Sequence, residues 1–141
     1  MKTIMVFGSF DVIHPGHLHY LKEAKNLGDY IIVVVGRNKT IKKIKGEEPL
    51  YAEIDRLECV NALRIVDKAV LGYEDDQFRV LSEYEPDIIC LGYDQKSFIT
   101  EKLKEEIKKR GLKIKIVRIG HYKKDMFKSS KLKKGHLTKK R

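Results

Sequence analysis

Residues 3–35 read TIMVFGSFDVIHPGHLHYLKEAKNLGDYIIVVV. Two β-branched apolar runs, TIMVF (3–7) and YIIVVV (30–35), enclose a segment in which Leu18, Leu21, Ala24 and Leu27 recur at helical spacing. Continuous Val/Ile runs of this kind suit strands buried on both faces of a parallel sheet. Pro15 stands where a first-turn proline is tolerated and Gly28 supplies the stop, so the stretch reads as strand, loop, helix, strand.

The same alternation continues outward. Further apolar runs occur at KAVL (68–71), DIICL (87–91) and KIKIVRI (113–119). Between them, 52–65 carries Ile54, Leu57, Val60 and Leu63 on one helical face, and 98–110 carries Ile99, Leu103 and Ile107 before Gly111. A shorter helix is expected around 76–85, ahead of Pro86, and 36–51 reads as a long loop. This order predicts an α/β fold: an open, mostly parallel five-stranded sheet with helices on both faces. Ligands of such sheets bind beyond the carboxyl ends of the strands where strand order reverses, so residues 8–17, 36–51, 92–97 and 119–131 are expected on one rim.

A chain of 141 residues suits one core. The expected division is a folded domain over 1–120 and a basic segment over 121–141 that joins the site rim, its very end unstructured. The net charge of +10 resides mostly in that segment, where nine Lys or Arg face Asp125 alone; the other 120 residues are nearly neutral. With 42% hydrophobic and 35% charged residues the composition is that of a globular protein, and no apolar run reaches the ~18 residues of a membrane span. A cytoplasmic setting is the expectation. Cys59 and Cys90 form no CxxC pair and read as small buried hydrophobes.

The loop after the first strand holds the chemistry. Gly8 is read as the residue that lets the chain turn off the sheet, and the following helix points its free N–H groups and positive dipole end at the rim. That geometry favours an anion, usually a phosphate. His14 and His17, three apart in the first turn, can face one spot, and Gly16 removes a Cβ between them. A zinc site would need further ligands that neither cysteine is placed to give, and simple capping is the plainer alternative. The absence of GxGxxG counts against a dinucleotide-dependent oxidoreductase.

Gly8-Ser9-Phe10-Asp11 followed by His14-Pro15-Gly16-His17 resembles the GxFDxxHxGH signature of the cytidylyltransferase-like nucleotidyltransferase superfamily. The resemblance extends through IKGEEPLY (44–51) with Asp55-Arg56, VDKAVLG (66–72), PDIICLGYDQ (86–95) and IVRIG (116–120). Over this length the chain is most similar to the archaeal-type FAD synthases, and next to the glycerol-3-phosphate cytidylyltransferases. The latter carry GHDW where this chain has GYDQ, and an RTxGIST-like motif for which FKSSKLKK (127–134) would have to stand in.

The resemblance implies a Rossmann-like fold and transfer of AMP from ATP to FMN, giving FAD and pyrophosphate, with CTP and glycerol 3-phosphate as the alternative pair. It implies His14, His17 and Lys45 as catalytic residues. Ser9, Phe10, Pro15, Gly16, Gly92, Asp94, Tyr122, Ser129 and Ser130 join the two histidines in binding the nucleotide. Asp94 is also a candidate ligand for a divalent metal, Mg2+, and Tyr93 for packing on a ring. Asp11 is read as orienting the loop. A homodimer is implied by the small members of the superfamily. The rival classes are a nucleic-acid-binding module built on the Lys-rich tail and a flavin or nucleotide carrier without turnover.

Overall fold

The structure, a computed structural model, describes residues 1–92 and 97–120. Tyr93, Asp94, Tyr122, Ser129, Ser130 and the basic segment lie outside the described residues. The elements, in chain order, are β1 (Thr3–Gly8), α1 (Pro15–Lys25), β2 (Tyr30–Val35), α2 (Asn38–Lys45), α3 (Glu53–Asn61), β3 (Lys68–Leu71), α4 (Arg79–Tyr84), β4 (Ile88–Leu91), α5 (Ser97–Lys109) and β5 (Lys115–Arg118). The five strands form one sheet in the order β3-β2-β1-β4-β5, every pair parallel.

Alternating side chains along each strand feed two cores. Ile4 and Val6 of β1, Ile31, Val33 and Val35 of β2, and Ile88 and Cys90 of β4 share one face with Leu21 and Ala24 of α1 and Val60 of α3. Met5, Ile32, Val34, Ile89 and Leu91 take the other face, under Val80 and Leu81 of α4 and Leu103 and Ile107 of α5. Burial on both faces accounts for the unbroken Val/Ile character of β2. After β1, β2 and β3 the chain crosses back past β1 to form β4, so strand order reverses between β1 and β4. The loops leaving those two strands flank the crevice this creates.

Several expectations change. The stretch 36–51 is no simple loop, because α2 occupies Asn38–Lys45 and ends at Gly46 in the left-handed conformation, φ 86°. The helix expected over 52–65 is shorter, Glu53–Asn61, and its Ile54 is 55% exposed. In α1 only Leu21 and Ala24 are fully covered. Cys59 is exposed, while Cys90 is buried as expected.

Gly8 is needed for a reason other than a turn. A Cβ there would lie 2.6 Å from Phe10 Cε2, so its missing side chain is the space that the Phe10 ring fills. Phe10 itself takes φ 50°, a left-handed conformation costing a non-glycine residue roughly 1–2 kcal/mol. Its ring, 3% exposed within the first core, offsets that strain by burial.

Candidate active site

The two histidines cap α1 reciprocally. His14 is the N-cap residue in extended conformation, and its Nδ1 accepts from the Gly16 N–H at 3.1 Å. His17, in the same first turn, accepts the His14 N–H on its own Nδ1 at 3.3 Å. The rings stack with centroids 4.1 Å apart, and Phe10 lies against His17 at 5.2 Å. A nitrogen that accepts carries no proton, so each ring, when neutral, holds its proton on Nε2. One nitrogen of each ring thus serves the helix, and His17 makes a further hydrogen bond to the Val12 backbone.

His17 is held neutral in the absence of ligand. Burial, then repulsion from His14 when that ring is protonated and from Lys45, lowers its pKa to about 4, while a hydrogen bond to the Val12 backbone works the other way. The Lys45 contribution places the end of α2 within electrostatic reach of α1. Lys45 Nζ donates to Ser9 Oγ at 3.3 Å, which brings residues 8–17 and 36–51 together as the rim expectation required. A cleft of about 230 Å³ opens there, lined by Ser9, Asp11, Ile41, Lys45 and residues 47–49. A larger depression of about 440 Å³ lies between α5 and the start of β5, among Ile107, Leu112, Ile114 and Ile116 with two lysines. It sits at the end of the sheet opposite the histidines, and its wall is largely aliphatic.

Asp11 shapes the cleft from below. Its carboxylate accepts the backbone N–H groups of Leu50 at 2.7 Å and Tyr51 at 3.0 Å, fixing the connection between α2 and α3. Gly92 follows β4, and its carbonyl accepts from Arg118 Nη1 at 2.8 Å, joining β4 to β5 at the same end of the sheet. Pro15 is the exposed first residue of α1 and Gly16 supplies the N–H that His14 caps.

The family model described as Cytidylyltransferase-like matches residues 5–135, nearly the whole chain. The chain belongs to this cytidylyltransferase-like family. It is 45% identical to the FAD synthase of Thermoplasma volcanium over 134 residues, 95% of this chain and 93% of that protein. It is 49% identical to the FAD synthase of Archaeoglobus profundus over 119 residues, 84% and 75% of the two chains. Among solved structures, the crystal structure of a protein described as the lipopolysaccharide core biosynthesis protein from Thermoplasma volcanium GSS1 matches with a TM-score of 0.80 and 46% identity. That match covers 86% of this chain and 98% of the other. Thermotoga maritima TmcAL, solved with alpha-thio ATP, matches with a TM-score of 0.68 at 18% identity, covering 94% and 49% of the two chains, and speaks for the fold alone.

In this cytidylyltransferase-like chain one residue at the cleft escaped a role in the sequence reading. Arg56 of α3 is 1% exposed and hydrogen-bonds to three segments of the rim. An arginine within an amphipathic helix reads as a solvated charge. The available signal was its offset of one from the Ile54, Leu57, Val60 stripe, which places it at the edge of the apolar face. Glu53 was missed likewise: it accepts the Asn38 N–H at 2.8 Å, capping α2 from a neighbouring helix, and pairs with Arg37 at 3.1 Å.

Proposed function

We propose that this chain is an FAD synthase, transferring AMP from ATP to FMN with release of pyrophosphate. The observation that carries the reaction type is the reciprocal histidine cap beside Lys45 and Ser9, a preformed donor set at a helix N-terminus. Identity of 45% over 93% of a relative named FAD synthase carries the substrate pair.

In this reading an FMN phosphate oxygen attacks the α-phosphorus of ATP in line. A new P–O bond forms, the bond to the β-phosphate oxygen breaks, and the electron pair leaves with pyrophosphate. The attacking phosphate is already ionised at neutral pH, so positioning and charge stabilisation suffice and no strong base is needed. In this reading His14 and His17 turn ring N–H donors to the triphosphate, His17 giving up its hydrogen bond to the Val12 backbone, and Lys45 closes on it from α2. Neutral imidazoles serve here as donors, and the charge of a bound triphosphate raises the His17 pKa from its ligand-free value.

A divalent metal, Mg2+ in this reading, partly neutralises the pyrophosphate when bound. Among the described residues no three His, Cys, Asp or Glu side chains gather to hold a metal ion, and Asp11 is engaged with Leu50 and Tyr51. Asp94 is the proposed protein residue that would hold such a cation. Gly92, Tyr122, Ser129 and Ser130 complete the proposed nucleotide site. No helix among the described residues is long and apolar enough to cross a membrane; the proposed setting is the cytoplasm, as a homodimer.

Pyrophosphate release, measured with ATP or CTP crossed with FMN or glycerol 3-phosphate, tests the assignment: turnover is expected with ATP and FMN, and turnover with CTP alone would overturn it. His17→Ala is expected to lower turnover by about 10³-fold or more with the circular dichroism spectrum unchanged.

A further inference from the structure

A fully buried guanidinium is an expensive way to hold a helix against a sheet, since an apolar side chain of similar volume does so without the cost of taking a charge out of water. Leu57, Val60 and Leu63 already anchor this part of the chain to the first core. The acceptors of Arg56 lie elsewhere. Its Nε donates to the Tyr51 carbonyl at 3.0 Å, its Nη1 to the Ser9 carbonyl at 2.8 Å, and its Nη2 to Asn38 Oδ1 at 2.6 Å. These three acceptors sit on the α2–α3 connection, the β1–α1 loop and the first residue of α2. Each segment carries part of the cleft.

We infer that Arg56 is the positioning residue of the active site, a single planar fork that sets the two walls of the cleft relative to each other. The bond to Ser9 fixes the peptide that leads into Phe10, holding that residue in its left-handed conformation with the ring under His17. The bond to Asn38 fixes the start of the helix whose last residue is Lys45. The bond to Tyr51 fixes the carbonyl of the residue whose own N–H, with that of Leu50, Asp11 receives. The carboxylates of Asp11 and Glu53 stand close enough to offset the buried charge, although burial still lowers the Arg56 pKa. Lysine cannot replace this geometry, because an ammonium on a flexible stem does not present five donors in one plane.

The inference rests on the nucleotidyltransferase reading for its effect on turnover, and its test includes a measurement that needs no substrate. In the full chain, Arg56→Gln and the milder Arg56→Lys are compared with the parent by thermal unfolding, by pyrophosphate release, and by NMR titration of the His17 ring without ligand. Release of Ser9 frees Phe10 from His17 and admits water, so the His17 pKa is expected to rise from about 4 by about one unit or more in both variants. Turnover is expected to fall about 10- to 100-fold, more in kcat than in KM, with Arg56→Lys restoring folding but not rate. A variant that lowers Tm while leaving the His17 titration and kcat of the folded protein unchanged would make Arg56 a purely structural residue and overturn the inference. Absence of pyrophosphate release from the parent would instead remove the FAD synthase reading and leave the titration result standing.

Discussion

His14 and His17 each take a hydrogen bond from the backbone on Nδ1, so their chemistry is set by the helix they cap. This has a measurable pH signature. Above about pH 6.5 His17 is neutral in both folded and unfolded chains. Between there and about 4 the unfolded chain takes up a proton that the folded site refuses, so stability falls as pH falls through that window. The limit is about 1.4 kcal/mol per pH unit, and the ring's remaining solvent contact keeps the slope below it. Urea unfolding of the ligand-free protein at a series of pH values is expected to show this slope, and His17→Gln to flatten it; the depressed carboxylates of Asp67 and Asp76 act in a lower window. Among individual residues, the histidines were legible because a motif announces them. Arg56 and Gly8 were not: the importance of each depends on what lies beside it in space, the Ser9 carbonyl for one and the Phe10 ring for the other.

The elements divide along a similar line. Strands β2 and β4 were readable because burial on both faces leaves an unbroken apolar run. Helix α2 was not, because NKTIKKIK offers only Ile41 and Ile44 as apolar positions, and only Ile41 is buried. Its N-terminal amide is satisfied by Glu53, fifteen residues ahead, a tertiary cap that local pattern does not encode. Its end was encoded, since Gly46 follows a lysine-rich last turn. A Cβ at Gly46 meets nothing within 4 Å, so Gly46→Ala is destabilising through backbone conformation alone, by about 1 kcal/mol. Because Lys45 is the adjacent residue, turnover is expected to fall further than that loss of stability explains, and Gly46→Asn to recover part of it. Chemical denaturation alongside pyrophosphate release separates the two effects.

At the scale of the molecule, the described residues form ten elements that close by Arg118 and two cores built before Gly120. Removing 121–141 is therefore expected to leave cooperative unfolding with a Tm within a few degrees, while lowering pyrophosphate release through loss of the proposed contributions of Tyr122, Ser129 and Ser130. Calorimetry and turnover on the shortened chain check both halves of that statement. The contrast between the two thiols has a practical consequence. Cys90 is buried in β4 with its thiol pushed up to about 11, whereas Cys59 stands exposed on α3, one turn from Arg56. Maleimide chemistry near neutral pH thus has a single fast target in a chain with only two cysteines. The native sequence already supplies a site for a fluorophore or spin label on the helix that organises the cleft.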